Sequence, residues 1–401
     1  MKVPAVVLAF SGTGLATVRC LATKGVPVNA VLFRPSKSGT ETRWSRRCIT
    51  HTVDFSESES ERLSDWLQSF AGTCPAPPVV IPTSDKTALF LAEHRERLAP
   101  YVMTFTTSAE DMRRIVSKDG LYQAAADAEV PIPPMLIEPT AAEVLDWCKG
   151  NSPPYIAKPF YGASAYSSLK AKNRVFASAD ALARFVAESG TRGVIVQRMI
   201  DSGDENICDV YGYCDKDGNV VCMASHGRIR QYPPNTGATS YGEIPFGNDE
   251  VDQRAFDLTR KLLRQFRYHG IFGIEWLREK TTGDLFLTDF NARPFSSIGH
   301  LAGAGLNLPL LGYLELTTGK TPPVDSRPVL THSFWMDFNS DIRSFREIRK
   351  TKRVPWSTFV VDLLRARHFA YFDIRDPGPA IARGTIFLEI VWEFLHKRIR
   401  R

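Results

Sequence analysis

Residues 273–294, GIEWLREKTTGDLFLTDFNARP, constrain the fold more than any other stretch of the chain. Two apolar runs, 271–277 and 285–290, flank Lys280-Thr281-Thr282-Gly283-Asp284, which predicts an antiparallel hairpin. With the turn centred on Thr282, Glu275 falls opposite Asp289 and Leu277 opposite Leu287. Side chains alternate along a strand, so Asp289, Asn291 and Arg293 share one face with Glu275, leaving Ile274, Trp276 and Phe290 on the other. Two carboxylates, an amide oxygen and a guanidinium are thereby gathered over an apolar underside. Hard oxygen donors suit Mg²⁺ held against phosphates. The guanidinium suits the negative charge that develops during phosphoryl transfer. A solvated surface hairpin has the same alternation, so the rest of the chain decides between the two.

Residues 1–112 read as an open α/β unit. An apolar strand over 3–10 leads through Ser11-Gly12-Thr13-Gly14-Leu15 to a helix over 17–24. A second strand covers 26–33 and a third 79–82, followed by a helix over 86–98. Strands alternating with helices predict a parallel, doubly wound sheet. Gly12 and Gly14 invite a dinucleotide site. Thr17 stands where its third glycine belongs, however, and Arg34 where an acid would close the second strand.

From Arg113 the character changes. Lys118-Asp119 opens a helical run to Ala128, and Val130-Pro131-Ile132-Pro133-Pro134 ends it. Lys158 lies inside an apolar strand over 155–159, where a cation needs an anionic partner. The Gly/Ser-rich Phe160-Tyr161-Gly162-Ala163-Ser164-Ala165 after it can turn backbone N–H groups toward phosphates. Residues 194–200 form a strand ending in polar Gln197 and Arg198, with Asp201-Ser202-Gly203-Asp204-Glu205 beyond. Asp217-Gly218 marks a hairpin between 208–213 and 220–225. Alternation in the following run puts Arg228 and Arg230 on one face, as in an anion clamp. An amphipathic helix over 251–266 leads into the 273–294 hairpin, and Pro322-Pro323 mark a boundary beyond it.

Glu275 followed by Asp289-Phe290-Asn291-Ala292-Arg293-Pro294 resembles the metal-binding signature of the ATP-grasp superfamily, in which an acid on one strand precedes E-x-N-x-R-P on the next. Here the second acid is Asp, one methylene shorter. The Lys118 helix, the Lys158 strand and the 194–205 segment precede it in the superfamily's order. Arg228-Ile229-Arg230-Gln231-Tyr232-Pro233-Pro234 and Phe372-Asp373-Ile374-Arg375-Asp376-Pro377-Gly378-Pro379 resemble a group of ATP-grasp carboligases related to the D-aspartate ligases.

The resemblance implies an α/β (α+β) protein. It would have a Rossmann-like pre-ATP-grasp domain over 1–112, an ATP-grasp domain over 113–325 with a lid subdomain at about 128–197, and a C-terminal helical extension over 326–401. It further implies that Lys118 and Lys158 reach phosphates, with Gly162 and Ser164 in a mobile lid over 162–168. Gln197, Arg198 and Ile200 would form the hinge that reads adenine, and Asp204, with Glu205 as its rival, would meet the ribose. Glu275, Asp289 and Asn291 would hold Mg²⁺, with Mn²⁺ an allowed substitute. Arg293, with Arg230 or Arg228, would stabilise the transferred phosphoryl. The implied reaction joins a small-molecule, amino-acid-like carboxylate and an amine through an acyl phosphate, releasing ADP and phosphate from ATP. A thiol nucleophile, or a nucleotide-binding regulator without catalysis, is the alternative.

Seven cysteines without a CxxC pair indicate reduced thiols and a cytoplasmic enzyme rather than a disulfide or zinc framework. The N-terminal apolar run is too short for a signal peptide, and no stretch of about 18 apolar residues is present to cross a membrane. The net charge of +6 comes from the end of the chain, where residues 341–401 carry 14 Lys/Arg against 7 Asp/Glu. That favours a solvated basic face over nucleic-acid binding. A homodimer is compatible with the sequence. Ile386, Phe387, Ile390, Val391, Phe394 and Leu395 recur at helical spacing and predict an apolar helix face that docks on the protein body.

Overall fold

The computed structural model describes residues 2–34, 39–55, 60–159, 174–189, 194–235, 237–247, 249–325 and 330–384. The first unit runs β1 (Ala5–Leu8), α1 (Ser11–Ala22), β2 (Val28–Arg34), β3 (Ile49–Asp54), α2 (Ser60–Gly72), β4 (Val79–Pro82), α3 (Asp85–Glu93) and α4 (Arg95–Leu98). Its four strands are parallel in the order β3-β2-β1-β4. β1 and β4 are uniformly apolar and buried, as strands covered on both faces must be. β3 escapes the sequence reading because it is the edge strand: Ile49-Thr50-His51-Thr52-Val53-Asp54 is mostly polar and only partly buried.

Helix α1 begins at Ser11, so the expected glycine loop is the first turn of a helix. Ser11 makes the bend from the strand at φ 51. Gly14 is required by packing, since a Cβ there would lie 2.7 Å from Ala9 Cα. Gly12 is covered by the C-terminal segment: a Cβ would meet the Tyr371 hydroxyl at 2.8 Å. These glycines allow close packing and leave no open face for a substrate. The helix expected over 86–98 is broken at His94 into α3 and α4.

The second unit comprises α5 (Ala109–Val116), α6 (Lys118–Asp127), β5 (Met135–Ile137), α7 (Ala141–Trp147), β6 (Tyr155–Pro159), β7 (Arg174–Phe176), α8 (Ala179–Ser189) and β8 (Val194–Arg198). Its strands form an antiparallel sheet ordered β5-β8-β6-β7. A small core of Val144, Tyr155, Phe176, Phe185 and Val196 joins that sheet to α7 and α8.

The third unit begins with β9 (Ile207–Cys214), β10 (Val220–Tyr232), β11 (Ala238–Ile244), α9 (Asp249–Gln265), β12 (Gly270–Arg278) and β13 (Leu285–Asn291). It continues through α10 (Ile298–Ala304), α11 (Leu308–Thr318), β14 (Ser333–Met336), α12 (Phe338–Thr351), α13 (Trp356–Arg365), β15 (Ala366–Phe369) and α14 (Gly378–Arg383). One sheet ordered β13-β12-β9-β10-β11-β14-β15 takes in all its strands. The extension expected to be helical therefore also supplies two strands to the central sheet. The apolar face expected over 386–395 lies outside the described residues.

Trp276, Phe290 and Ile274 pack with Leu121, Leu262 and Phe266 on one side of this sheet. On its other side Tyr211, Tyr213 and Ile271 pack with Val7 and Ile81 of the first unit and Leu301 of α10. Tyr211 and Tyr213 share a face with Asp209, which pairs with Glu275. That face is thus apolar where the first unit packs on it and carboxylate-bearing a few residues on. The candidate site lies where it emerges from the core.

Candidate active site

The hairpin forms as its turn residues require, with Gly283 at φ 74. Glu275 faces Asp289, but a bulge after Glu275 places Trp276 opposite Leu287 and Leu277 opposite Phe286, rather than Leu277 opposite Leu287. The extra residue is Thr288, whose Oγ1 donates to Glu275 Oε1 at 2.7 Å. One inserted residue lets Trp276 and Leu287 both point into the core while the carboxylates keep the other face.

Each oxygen donor of the hairpin meets a basic side chain. Lys118 Nζ lies 2.5 Å from Asp289 Oδ1 and 2.8 Å from Thr288 O. Arg228 pairs with Glu275, and also donates from Nη2 to Asp209 Oδ1 at 3.0 Å and from Nε to Oδ2 at 3.2 Å. Arg293 Nη2 donates to Asn291 Oδ1 at 2.7 Å, while its Nε donates to Asp85 at the start of α3 at 2.7 Å. Burial alone would pull the Lys118 ammonium down, but the Asp289 carboxylate outweighs it and holds the group above its usual range. Burial would likewise raise Asp209, yet Arg228 brings it down to about 2, so Asp209 stays ionised.

A cleft of about 1130 Å³ opens between β6 and β8 of the second unit and β10 and β12 of the third. Lys158, Gln197, Arg198, Ile200, Asp204, Glu205, Arg228, Glu275 and Thr288 line it, which brings together half of the predicted site residues, with Glu205 beside them. Gln197 is buried with no partner for its Oε1, an orphaned acceptor at the cleft wall. Arg198 spends its side chain on Glu279 at 2.6 Å. Asp204 Oδ1 accepts from Gln231 Nε2 at 2.6 Å and from Asn235 N at 3.3 Å. Glu205 faces Lys280 at 3.3 Å. Gly162 and Ser164 lie outside the described residues.

Arg230 does not join Arg228. Register shifts in β10 on either side of Arg230 break the alternation, and its side chain is buried away from the cleft. There it donates to Asp341 at 2.9 and 2.8 Å and to Asp362 at 2.6 Å, both in the C-terminal extension. The expected pairing of two arginines on one face is therefore not formed: Arg228 faces the cleft, and Arg230 is structural. Sequence reasoning also missed Asp209, Asp85 and Thr288. Asp209 alone left a signal, as a lone acid in the apolar run Cys208-Asp209-Val210-Tyr211. Among the described residues, no three His, Cys, Asp or Glu side chains form a metal-holding group. The hairpin set of two carboxylates and one amide nonetheless has hard-donor chemistry, and the bases already held against it show that the patch attracts positive charge.

No protein-family pattern matches the chain. A D-aspartate ligase of Enterococcus faecium (strain Aus0004) is 20% identical over 262 residues, which is 62% of this chain. The match spans 59% of that curated relative's length. Among solved structures, a biotin carboxylase from Campylobacter jejuni in complex with β,γ-ATP superposes with a TM-score of 0.64 at 16% identity, covering 83% of this chain and 75% of its own. N5-carboxyaminoimidazole synthetase from Staphylococcus aureus complexed with ADP gives a TM-score of 0.64 at 12% identity, covering 87% of both chains. At such identities these likenesses establish the fold.

Proposed function

The chain has the ATP-grasp fold, and from that premise we propose that it is an ATP-dependent ligase joining a small-molecule carboxylate to an amine through an acyl phosphate. The observation that carries this is the opposed pair Glu275 and Asp289 with Asn291, each met by a basic side chain, beside a cleft that also presents Lys158. The similar structures that were solved with ATP or ADP support a nucleotide in the cleft, and the D-aspartate ligase supports amide formation. The cleft volume of about 1130 Å³ exceeds the roughly 300–1,000 Å³ typical of a one-ligand pocket, leaving room for a second substrate.

In this scheme Lys158 neutralises the triphosphate, and the buried Gln197 Oε1 accepts a hydrogen bond from the base at the hinge. Glu275, Asp289 and Asn291 would hold Mg²⁺ or Mn²⁺, which supplies charge neutralisation between the phosphates. Asp209 fixes the guanidinium of Arg228, and Asp85 that of Arg293, so both are pre-aimed where phosphoryl charge builds up. A carboxylate oxygen attacks the γ-phosphorus and the bond to ADP breaks. The amine then attacks the acyl carbon, loses a proton, and phosphate departs. Rate enhancement comes from positioning and preorganised charge, with no covalent bond to the protein. All seven cysteines are free, which fits a reducing compartment such as the cytoplasm.

Hydroxylamine provides the test. With ATP, Mg²⁺ and a panel of amino-acid-like carboxylates, but no amine, an accepted acid should yield a hydroxamate, with ADP as the nucleotide product. AMP and pyrophosphate would instead indicate an acyl adenylate and defeat the proposal.

A further inference from the structure

Part of the cleft wall comes from outside the ATP-grasp core. Glu347, Ile348, Thr351 and Lys352, on the last turn of α12 and just past it, line the cleft together with Asp204, Glu205 and Gln231. This helix belongs to the C-terminal extension, and it is firmly seated. Arg230, buried over the rings of Tyr241 at 4.6 Å and Phe345 at 5.5 Å, holds Asp341 of α12 and Asp362 of α13 together. Ser240 Oγ adds a 2.9 Å bond to Asp341. Burying a guanidinium between two carboxylates requires close geometry, so the position of α12 on β10 is well defined.

From that seat a short hydrogen-bonded chain runs to the acid expected to meet the ribose. Ser344 Oγ on α12 donates to Gln231 O at 2.7 Å. Gln231, itself buried, donates from Nε2 to Asp204 Oδ1 at 2.6 Å and from its backbone N to Oδ2 at 3.3 Å. Glu205 is reached from the same side. Its burial would raise the carboxyl, but its own backbone N–H, Lys280 and Lys352 hold it below the usual range.

We propose that α12 is part of the nucleotide site: Ile348, Thr351 and Lys352 form the wall against which the ribose end of the nucleotide rests, and Gln231, braced by Ser344, positions Asp204 to accept from the ribose hydroxyls. Gln231 is a positioning residue, acting through Asp204. This rests on the ligase proposal above, because it takes the cleft ligand to be ATP.

Calorimetry on the full-length protein tests it with three probes: ATP, 2′-deoxy-ATP and inorganic tripolyphosphate, each with Mg²⁺. Thr351 and Lys352 are exposed, so Thr351→Trp and Lys352→Glu should fold as the parent does. Both variants should bind ATP about tenfold more weakly, on the scale of one lost charged or polar contact, and tripolyphosphate unchanged. Gln231→Leu should narrow the preference for ATP over 2′-deoxy-ATP, a ratio that general destabilisation would not move. ATP binding at parental strength by both Thr351→Trp and Lys352→Glu would overturn the inference. A parent protein that binds neither ATP nor tripolyphosphate would overturn the ligase proposal itself, a separate failure.

Discussion

Arg228 and Arg230 stand two positions apart in one strand and serve different ends. Arg228 is held by Asp209 and reaches Glu275 in the cleft, whereas Arg230 ties the C-terminal helices to the sheet. Arg230→Ala would leave Asp341, fully buried, without its counter-charge. Breaking a buried pair from one side costs about 3–5 kcal/mol. Urea unfolding of Arg230→Ala should show a loss of that size, and a loss within error of zero would contradict the structural assignment. Asp289→Asn is the converse case. Its carboxyl is half exposed on the polar face of the hairpin, so losing its pair with Lys118 should lower the thermal midpoint less than Arg230→Ala does. Turnover should drop by at least about 100-fold, the scale of one lost electrostatic contact to a developing charge. Near-normal turnover with Mg²⁺ would remove Asp289 from the site.

At the scale of elements, three histidines join parts of the chain that are far apart in sequence. His300 of α10 lies 5.5 Å from His226 of β10 and 5.3 Å from His368 of β15, ring centre to ring centre. Burial, then His226 and His368, push the His300 imidazole down to about 2. A free histidine titrates near about 6.5, so the stability that comes from keeping His300 neutral is complete above that pH. It is lost as pH falls below it, by about 1.4 kcal/mol per pH unit, because the unfolded chain takes up the proton first. Carboxylates intervene below about pH 5, so the window to read is pH 5 to 6.5. His300→Asn should flatten the decline in unfolding free energy there, and a variant with the parental slope would contradict the assignment.

The same scale shows what was legible in advance. The hairpin, the Lys158 strand and the β9–β10 turn were readable because turn chemistry and two-residue alternation are local. The Glu275–Asp289 pairing followed from them. Bulges are set by what each side chain must reach across the sheet, so the Thr288 bulge and the displacement of Arg230 left no mark in the sequence. β3 was hidden by the polarity of an edge strand, and the joining of β14 to β11 depends on pairing 89 to 95 residues apart. Arg293, the partner of Asn291, belongs to the same stretch, but the partners of the two carboxylates come from α6 and β10, so no inspection of the hairpin alone could supply those.

Across the whole molecule, the C-terminal extension ties the first unit to the central sheet. β14 and β15 extend the central sheet, and the segment that follows reaches back to the first unit. There Asp376, fully buried, accepts from Arg19 Nε at 3.0 Å, Ser45 Oγ at 2.8 Å and Arg46 N at 2.9 Å. Gly378 is needed beside it, since a Cβ would come within 2.0 Å of Trp44 O. With Tyr371 over Gly12, the first unit meets the rest of the chain through packing and ion pairs, and the cleft lies between the second and third units. Everything assigned to that cleft depends on a carboxylate attacking the γ-phosphorus of ATP. Oxygen transfer reports that step directly. When an accepted carboxylate labelled with ¹⁸O in both oxygens is turned over with ATP, Mg²⁺ and amine, the released phosphate should carry one ¹⁸O and the nucleotide should be ADP. Phosphate free of label, or label found in AMP, would contradict acyl-phosphate formation and with it the assignment of Lys158, Glu275, Asp289 and Arg293.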